Sequence, residues 1–493
     1  MKIMKTKNLS NLYLLYRVMI FGFLLITLNA CVGLTGRNGV DVNQSKQSLT
    51  TLDKWTRVSG DNEVNQRIVY GTNGIAAGTN KPGARYDSIS WTDNKGNLWL
   101  FGGESGRNST RLLNDLWKFD GTNWTWISGD SKVNQRGVYG TKGVAASTSK
   151  PGARCDSISW TDNKGNLWLF GGYGYAGTRF LGILNDLWKF DGTNWTWVSG
   201  DSKIEHRGVC GVKGVAAGTN KPGARYGSVS WTDSKGNLWL FGGYGYAGTG
   251  LLGILNDLWK FDGTNWTWVS GDSRQNEPGL YGIKGVANNT NKPGARYGSI
   301  SWTDSKGNLW LFGGRGYNQY RVLVYLNDLW KFDGANWTWV SGDNEQDRSG
   351  VFGTKGVAAG TNKPGARYGS VSWVDSKGNL WLFGGFGFAS STITSLLNDM
   401  WRFDGTNWTW ISGDNATHKQ KWLANTANTP KARYESVSWT DSKGNLWLFS
   451  GRKGSNDYFN DLWKFEPYGS LIRQSKQNSL PLNFIFRLLY CRL

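Results

Sequence analysis

One eight-residue string constrains the fold of this chain more than any other feature. Gly-Asn-Leu-Trp-Leu-Phe-Gly-Gly begins at Gly96 and occurs four more times, and a sixth copy at Gly444 ends in Ser-Gly. A tryptophan lies before each copy, at intervals of 66 to 71 residues: Trp91, Trp160, Trp231, Trp302, Trp373 and Trp439. Six near-identical units predict a repeat architecture in which each unit completes its core against its neighbours.

Each unit contains four segments with the composition of β-strands. In the first unit they are Arg85–Trp91, Asn97–Phe101, Asn114–Phe119 and Asn123–Ser128, rich in aromatic and β-branched residues and separated by turn sequences. The second segment is apolar on both faces, so other strands must cover both faces. Stacked sheets in a closed ring provide this cover. The sequence therefore predicts an all-β fold, a six-bladed β-propeller with four antiparallel strands per blade.

The two ends of the repeat region predict how the ring closes. The sixth unit stops at Phe465-Glu466-Pro467 and lacks its fourth strand, while an unmatched copy of that strand, Lys54–Ser59, precedes the first unit. An N-terminal strand that completes the last blade would close the ring and remove its free edges. The propeller domain is predicted to span residues 52–467.

The residues of the repeat carry a resemblance to a known family. A Gly-Gly pair ends the second strand, an aromatic residue lies in the third and a tryptophan in the fourth. Over Trp55–Phe465 the chain resembles a kelch-type β-propeller. Kelch repeats usually have ~50 residues, and these are about 20 longer, with the excess between Gly129 and Gly152.

The kelch resemblance includes galactose oxidase, a copper enzyme whose site needs two histidines and two tyrosines. The two histidines of this chain, His206 and His418, lie in connections three blades apart. They cannot share a metal ion across a six-membered ring. The sequence therefore predicts no copper oxidase, no metal site and no cofactor.

The N-terminus resembles the export signal of a bacterial lipoprotein. A basic region ends at Arg17, an apolar run of signal-peptide length covers Val18–Leu28, and Leu28-Asn29-Ala30-Cys31 resembles a lipobox. We expect a signal peptide over residues 1–30, lipidation of Cys31, and a polar tether over 31–51. The alternative is an ordinary signal peptide with a chance cysteine. The protein is expected to be exported and lipid-anchored in the cell envelope, at the outer membrane or cell surface if the cell is Gram-negative.

The strongly basic composition does not by itself indicate a nucleic-acid partner. The net charge is +20, but the first thirty residues and the C-terminal tail, residues 468–493, each contribute four positive charges without an acid. In the propeller, basic and acidic residues alternate at fixed places in each repeat. We predict a solvated basic surface and no specific nucleic-acid partner; attraction to acidic polymers or anionic membranes is the alternative. The role of the apolar, basic tail stays open.

Two features differ among the six units. A residue repeated in every unit usually belongs to the framework, so a binding site is expected where the units differ. The connections between second and third strands differ among units, either as binding loops or by neutral drift. Two residues after a repeated arginine, three units have an acid where the other three have glycine. The acids are Asp87, Asp156 and Glu435, and their arginines are Arg85, Arg154 and Arg433. Strand alternation predicts that each acid and its arginine share one face at the inner mouth.

These six residues form the predicted ligand site. The arginines would hold a ligand carboxylate and the acids would accept hydroxyl hydrogen bonds, as an acidic sugar requires. The alternative is that the acids simply pair with the adjacent arginines.

The predicted function is a lipid-anchored, extracytoplasmic binding or adhesion propeller that recognises a protein or glycan through one loop face. It is expected to be monomeric and to meet the membrane only through its anchor. One alternative is a carbohydrate-active enzyme similar to a sialic acid mutarotase or a sialidase, although no catalytic residue is assigned. The other is a purely structural surface protein.

Overall fold

Six small antiparallel sheets make up the fold. The computed structural model describes residues 54–106, 110–415 and 429–467. Within these ranges the chain has no helix, and its main strands form six sheets. The innermost strand of each sheet contacts those of the sheets before and after it, and the sixth contacts the first, so the sheets close into a ring around a channel. The predicted all-β, six-bladed propeller with four antiparallel strands per blade is confirmed.

Each blade has an inner, a second, a third and an outer strand. The inner strands are Ile89–Thr92, Ile158–Thr161, Val229–Thr232, Ile300–Thr303, Val371–Val374 and Val437–Thr440. The second strands are Leu98–Glu104, Leu167–Tyr175, Leu238–Tyr246, Leu309–Tyr317, Leu380–Phe388 and Leu446–Phe449. The third strands are Leu112–Phe119, Leu181–Phe190, Leu252–Phe261, Leu323–Phe332, Thr394–Phe403 and Leu462–Glu466. The outer strands are Trp124–Ser128, Trp195–Ser199, Trp266–Ser270, Trp337–Ser341, Trp408–Ser412 and, in blade six, Lys54–Ser59.

The inner strand is shorter than the sequence predicts. Blades two to five have a separate two-residue strand before it, which pairs with the end of the second strand: Arg154–Cys155, Arg225–Tyr226, Arg296–Tyr297 and Arg367–Tyr368. Single bridges, Tyr86 to Glu104 and Tyr434 to Arg452, replace it in blades one and six. The continuous strand Arg85–Trp91 predicted for blade one is interrupted because Asp87 has a φ of 51°, and a left-handed residue cannot continue a strand.

Aromatic side chains fill the space between neighbouring blades. Trp91 and Phe101 of blade one pack in one cluster with Trp188 and Phe190 of blade two. The indole Nε1 of Trp91 also donates to the carbonyl oxygen of Trp168 in blade two at 2.9 Å. Burying one such side chain removes ~150–250 Å² from water, which at ~25 cal/mol/Å² stabilises the fold by about 4–6 kcal/mol before conformational entropy. The repeated tryptophans are therefore the frame of the ring.

The last blade is completed by the N-terminal strand. Lys54–Ser59 pairs antiparallel with Leu462–Glu466, with Trp55 opposite Phe465. The Trp55 side chain is 4% exposed and contacts the rings of Trp373 and Phe383 in blade five. The predicted closure of the ring by the N-terminal strand is confirmed.

The long connections between blades cover the outer strands. In the connection before blade one, Ala77 bridges to Trp124 of the outer strand, and the Gly74 N–H donates to the Trp126 carbonyl oxygen at 2.8 Å. The same bridge recurs in blades two to five, from Ala146, Ala217, Asn288 and Ala359. Each connection thus protects part of an exposed sheet edge, which accounts for the extra length of these repeats.

The propeller has two different faces. The loop face carries the connections between blades and between second and third strands. The turn face carries the tight turns that follow the inner and third strands, such as Asp93–Gly96. Because Lys54 pairs with Glu466 at the turn-face end of blade six, the described chain both enters and leaves the propeller at the turn face.

Candidate functional site

Hydroxyl groups line the middle of the channel. The inner-strand serine of each blade donates its hydroxyl to the serine carbonyl oxygen of the preceding blade, at 2.9–3.3 Å. These serines are Ser90, Ser159, Ser230, Ser301, Ser372 and Ser438. A cavity of about 250 Å³ lies beside them, lined by serine, threonine and tryptophan residues of blades six, one, two and three. The serine ring binds adjacent blades together and is the same in all six.

A second ring, which we call the collar, lies on the loop-face side of the serines. Its members all have φ between 51° and 65°: Asp87, Asp156, Gly227, Gly298, Gly369 and Glu435. The N–H of each member donates to the carbonyl oxygen of the member in the preceding blade at 2.7–3.2 Å, and the six bonds form a closed circle. Glycine adopts this left-handed conformation freely, whereas the aspartates and the glutamate adopt it at a cost of about 1 kcal/mol or more each.

The collar turns the chain, so the arginines and the acids do not share a face. Both guanidinium nitrogens Nη1 and Nη2 of Arg85 donate to the Asp115 carboxylate at 2.8 and 2.9 Å, and the Trp117 Nε1 donates to the same carboxylate at 2.8 Å. Arg85 is fully buried. The expectation that alternation along one strand places Arg85 beside Asp87 is wrong, because the strand is interrupted between them.

The other two predicted arginines have the same place in the frame. Arg154 donates to Asp186 at 2.7 and 2.8 Å, and Arg433 donates to Asp461 at 2.6 and 2.7 Å. Each is 1% exposed. These charges are satisfied inside the blade by bidentate pairing. The three arginines are therefore not offered to a ligand in the channel, and the acids of the collar do not pair with them.

The three predicted acids do come together. Ring closure makes blades six, one and two neighbours, so Glu435, Asp87 and Asp156 occupy consecutive places in the collar. Burial, with the nearby carboxylates of Glu435 and Asp156, raises the pKa of Asp87 well above its usual range. Burial also raises the pKa of Asp156 to about 7. The three carboxylates thus hold protons near neutral pH that isolated carboxylates would lose.

Arg452 is a member of this site that is not among the six predicted residues. Its Nη1 donates to the Glu435 carboxylate at 3.2 Å. Its guanidinium lies 4.4 Å from the ring centre of Tyr86 and 5.2 Å from that of Tyr434. Burial raises the pKa of Glu435 to about 7, and Arg452 opposes this rise. Arg452 is thus held by one carboxylate and by the faces of neighbouring tyrosine rings.

Glu104 occupies the corresponding position in blade one. Burial, followed by a hydrogen bond with Glu104, raises the pKa of the Tyr86 hydroxyl above its usual range. The sequence does carry a signal for these residues, directly after the second-strand Gly-Gly pair, which is Ser-Gly in blade six. Each is the first residue of the connection that varies among the units: Glu104, Tyr173, Tyr244, Arg315, Phe386 and Arg452.

Tyrosine rings extend around the same mouth. Six rings follow one another through blades two to six with centres 5.4–6.5 Å apart. We call them the aromatic arc: Tyr173, Tyr226, Tyr244, Tyr297, Tyr368 and Tyr434. Each is half-buried, so part of each ring remains accessible. The arc and the three collar carboxylates together form the mouth of the channel on the loop face.

Some of the residues named in the metal and membrane predictions lie outside the described ranges. Within the described ranges, no group of three histidine, cysteine, aspartate or glutamate residues could hold a metal ion. His206 lies 3.8 Å from Asp201, and His418 is outside the described residues. No helix in the described ranges is long and apolar enough to cross a bilayer. The predicted signal peptide, Cys31, the tether and the tail at 468–493 also lie outside.

Comparison with known proteins finds similar folds and no sequence family. No protein-family model matches the chain, and no curated protein matches it. A solved structure described as "Structure of YjhT" has a TM-score of 0.47 at 14% identity, covering 80% of this chain and 95% of that one. A fungal alcohol oxidase of the AA5 family, in complex with copper, has a TM-score of 0.43 at 13% identity and covers 81% and 77%.

A third similar structure is a protein of unknown function from Dyadobacter fermentans. It has a TM-score of 0.44 at 9% identity and covers 84% of this chain and all of that one, 100%. At these identities the likeness concerns the fold alone. The ligand and the activity have to be argued from the mouth itself.

Proposed function

We propose that this protein is a kelch-type binding propeller that recognises a glycan at the mouth of its channel on the loop face. The observation that carries the proposal is the coincidence of the three collar carboxylates with the aromatic arc. Half-buried tyrosine rings offer flat apolar surfaces and hydroxyl groups to a sugar. Carboxyl groups with a pKa near 7 both donate and accept hydrogen bonds at neutral pH, as sugar hydroxyls require.

The acidic sugar expected from the sequence is no longer supported by the ring arginines. Three arginines are expected from the sequence to hold the ligand carboxylate: Arg85, Arg154 and Arg433. In the structure each is paired with an aspartate inside its blade. The same arginines were the reason to consider a sialidase-like or mutarotase-like activity on an acidic sugar, so that activity is not supported by them either. We therefore place the contacts to the ligand in the acids Asp87, Asp156 and Glu435 and in the aromatic arc.

One observation favours a sugar-active enzyme as the second candidate. A carboxyl group with a pKa of about 7, as for Asp156 and Glu435, is suited to general acid or base catalysis at neutral pH. Proton transfer during the opening or closing of a sugar ring is the reaction that such a pair would assist. A mutarotation assay run beside the binding assay distinguishes this candidate from simple binding.

The binding test exploits the glycines of the collar. Changing Asp87, Asp156 and Glu435 to glycine gives these blades the residue that blades three to five already have at φ near 60°. The backbone is therefore expected to keep its ring of hydrogen bonds. On a glycan array, we expect the wild-type protein to bind a defined set of sugars and the triple glycine variant to lose at least about tenfold in affinity, the equivalent of 1.4 kcal/mol.

Glu205→Gly is the matched control. Glu205 is also an acid at positive φ, 65°, and it is exposed on the loop face outside the collar. This variant should bind like wild type. If the triple variant melts normally and still binds the same sugars with unchanged affinity, the ligand does not use the collar, and the variable loops become the site.

We also propose that the propeller is exported and anchored by a lipid on Cys31. Cys31→Ser should release the protein from the membrane fraction or block its processing, because the lipidated thiol is absent. Fatty-acid labelling measures this directly: an unlabelled wild-type protein that still partitions with membranes would contradict the lipid anchor.

A further inference from the structure

The mouth of the channel already contains a cation bound in a particular way. The Arg452 guanidinium pairs with Glu435 and lies over the faces of Tyr86, Tyr434 and Tyr458, the last at 5.9 Å. A cation over a tyrosine face is attracted by the negative face of the ring, and partial desolvation strengthens the attraction. This side of the mouth is thus built from the two kinds of group that recognise cations, and one place in it is taken by the protein's own arginine.

The neighbouring acids have no such partner. Within the described ranges, the Asp87 carboxylate accepts no hydrogen bond and forms no ion pair. Burial and the charges of Glu435, Asp156 and Glu104 raise its pKa, and only the charge of Arg452 opposes this rise. The residue is only partly buried, and its carboxylate oxygens are not enclosed. Asp87 therefore presents an unpaired acid to the channel, where a ligand can reach it.

The next blade supplies a second acid without a cation partner. Asp156 forms no ion pair within the described ranges; the backbone N–H of Gly227 donates to its carboxylate, and Gly227 itself has no side chain. A Cβ at Gly227 would lie 3.2 Å from the Asp156 Oδ2 atom, so this carboxylate extends along the collar toward blade three. The first ring of the aromatic arc there is Tyr226, 6.1 Å from Tyr173.

We propose that the glycan enters the mouth through a primary ammonium group, so that the ligand is an amino sugar with a free amine. The ammonium would lie against Asp87 and Asp156, and the sugar ring against the aromatic arc. This inference rests on the proposed glycan site and deepens it by naming the charge of the ligand. It reverses the charge expected from the sequence, because the arginines that favoured an acidic ligand are sequestered in the blades.

The test compares pairs of ligands that differ only in the charge of one nitrogen. Glucosamine oligomers and their N-acetylated counterparts are titrated into the full-length protein at neutral pH by calorimetry. We expect the free amine to bind at least about tenfold more tightly than the acetamide. We also expect proton release on binding, because the cation favours the ionised carboxylates; titration in two buffers of different ionisation enthalpy measures it.

A second variant separates charge from hydrogen bonding. Asp87→Asn, Asp156→Asn and Glu435→Gln together keep polar groups in the collar and remove its negative charge. This variant should lose the preference for the free amine and the proton release. Should it fail to fold, the single variant Asp87→Asn is used with the same two measurements.

Each remaining outcome decides one of the two proposals. Equal affinity for amine and acetamide overturns the ammonium inference and leaves the glycan site standing. Binding of lysine peptides without binding of amino sugars also overturns it, because the ammonium then comes from a protein. If neither sugar binds, the inference fails, and the glycan array with the triple glycine variant judges the proposed function separately.

Discussion

The two halves of the collar have the same backbone and opposite chemistry. Blades three to five place Gly227, Gly298 and Gly369 at φ 62–65°, and blades six, one and two place acids at φ 51–56°. The hydrogen bonds between adjacent members form one unbroken circle through both halves. The main chain therefore has the same conformation and hydrogen bonds whichever residue is present. Side chains at this position are free to differ between blades without consequence for closure of the ring.

The buried arginine–aspartate pair, by contrast, is the same in both halves. Arg154 and Asp186 of blade two and Arg296 and Asp328 of blade four form the same bidentate pair at 2.6–2.8 Å. A tyrosine hydroxyl from the preceding connection reaches the aspartate in each, Tyr139 at 2.5 Å and Tyr281 at 2.7 Å. In this repeat protein, the residues that hold the ring together are thus separate from those that make one sector different.

The largest effect is expected from removing one arginine from each half. Arg154→Ala and Arg296→Ala each leave a buried aspartate without its partner, which costs about 3–5 kcal/mol. We expect equal losses within about 1 kcal/mol, measured by urea unfolding of the two variants side by side. A blade-two variant that keeps its stability but loses sugar binding would show that Arg154 belongs to the site after all.

The six-fold frame and its closure could be predicted because every repeat carries the same residues. The sequence also marked the position of the collar acids, since three units have an acid there and the other three have glycine. Their surroundings could not be predicted so easily. Glycine in three of the six units, at Gly227, Gly298 and Gly369, was the available signal for a left-handed residue. A left-handed residue interrupts a strand, so this signal argues against strand alternation as a reason to place Arg85 beside Asp87.

The contacts of Arg452 lay beyond the reach of the sequence for a different reason. Arg452 and Tyr86 are separated by most of the chain and meet only because the ring closes between blades six and one. No spacing within a single repeat encodes that contact. What the repeat did show is the variable residue directly after the Gly-Gly pair, or after Ser-Gly in blade six: Glu104 in blade one and Arg452 in blade six.

The smallest expected effect is on the pH dependence of stability, and it sharpens the contrast between the halves. Asp156 and Glu435 each have a pKa of about 7 in the folded protein, above the ordinary values of 3.8 and 4.5. The folded state thus binds these protons more tightly than the unfolded state. The stability that results is fully present below pH 4 and is lost as the pH rises through 7.

Wild-type protein should accordingly lose about 1–3 kcal/mol more stability between pH 5 and pH 8 than the triple glycine variant, which has no carboxylates in the collar. The range lies below the full shift because the channel admits some solvent to these groups. Urea unfolding at both pH values measures the difference, and Glu205→Gly serves again as the control with wild-type behaviour. Parallel pH profiles for wild type and the triple variant would mean that the carboxylates are solvated in the channel, and the two halves of the collar would then differ in shape alone.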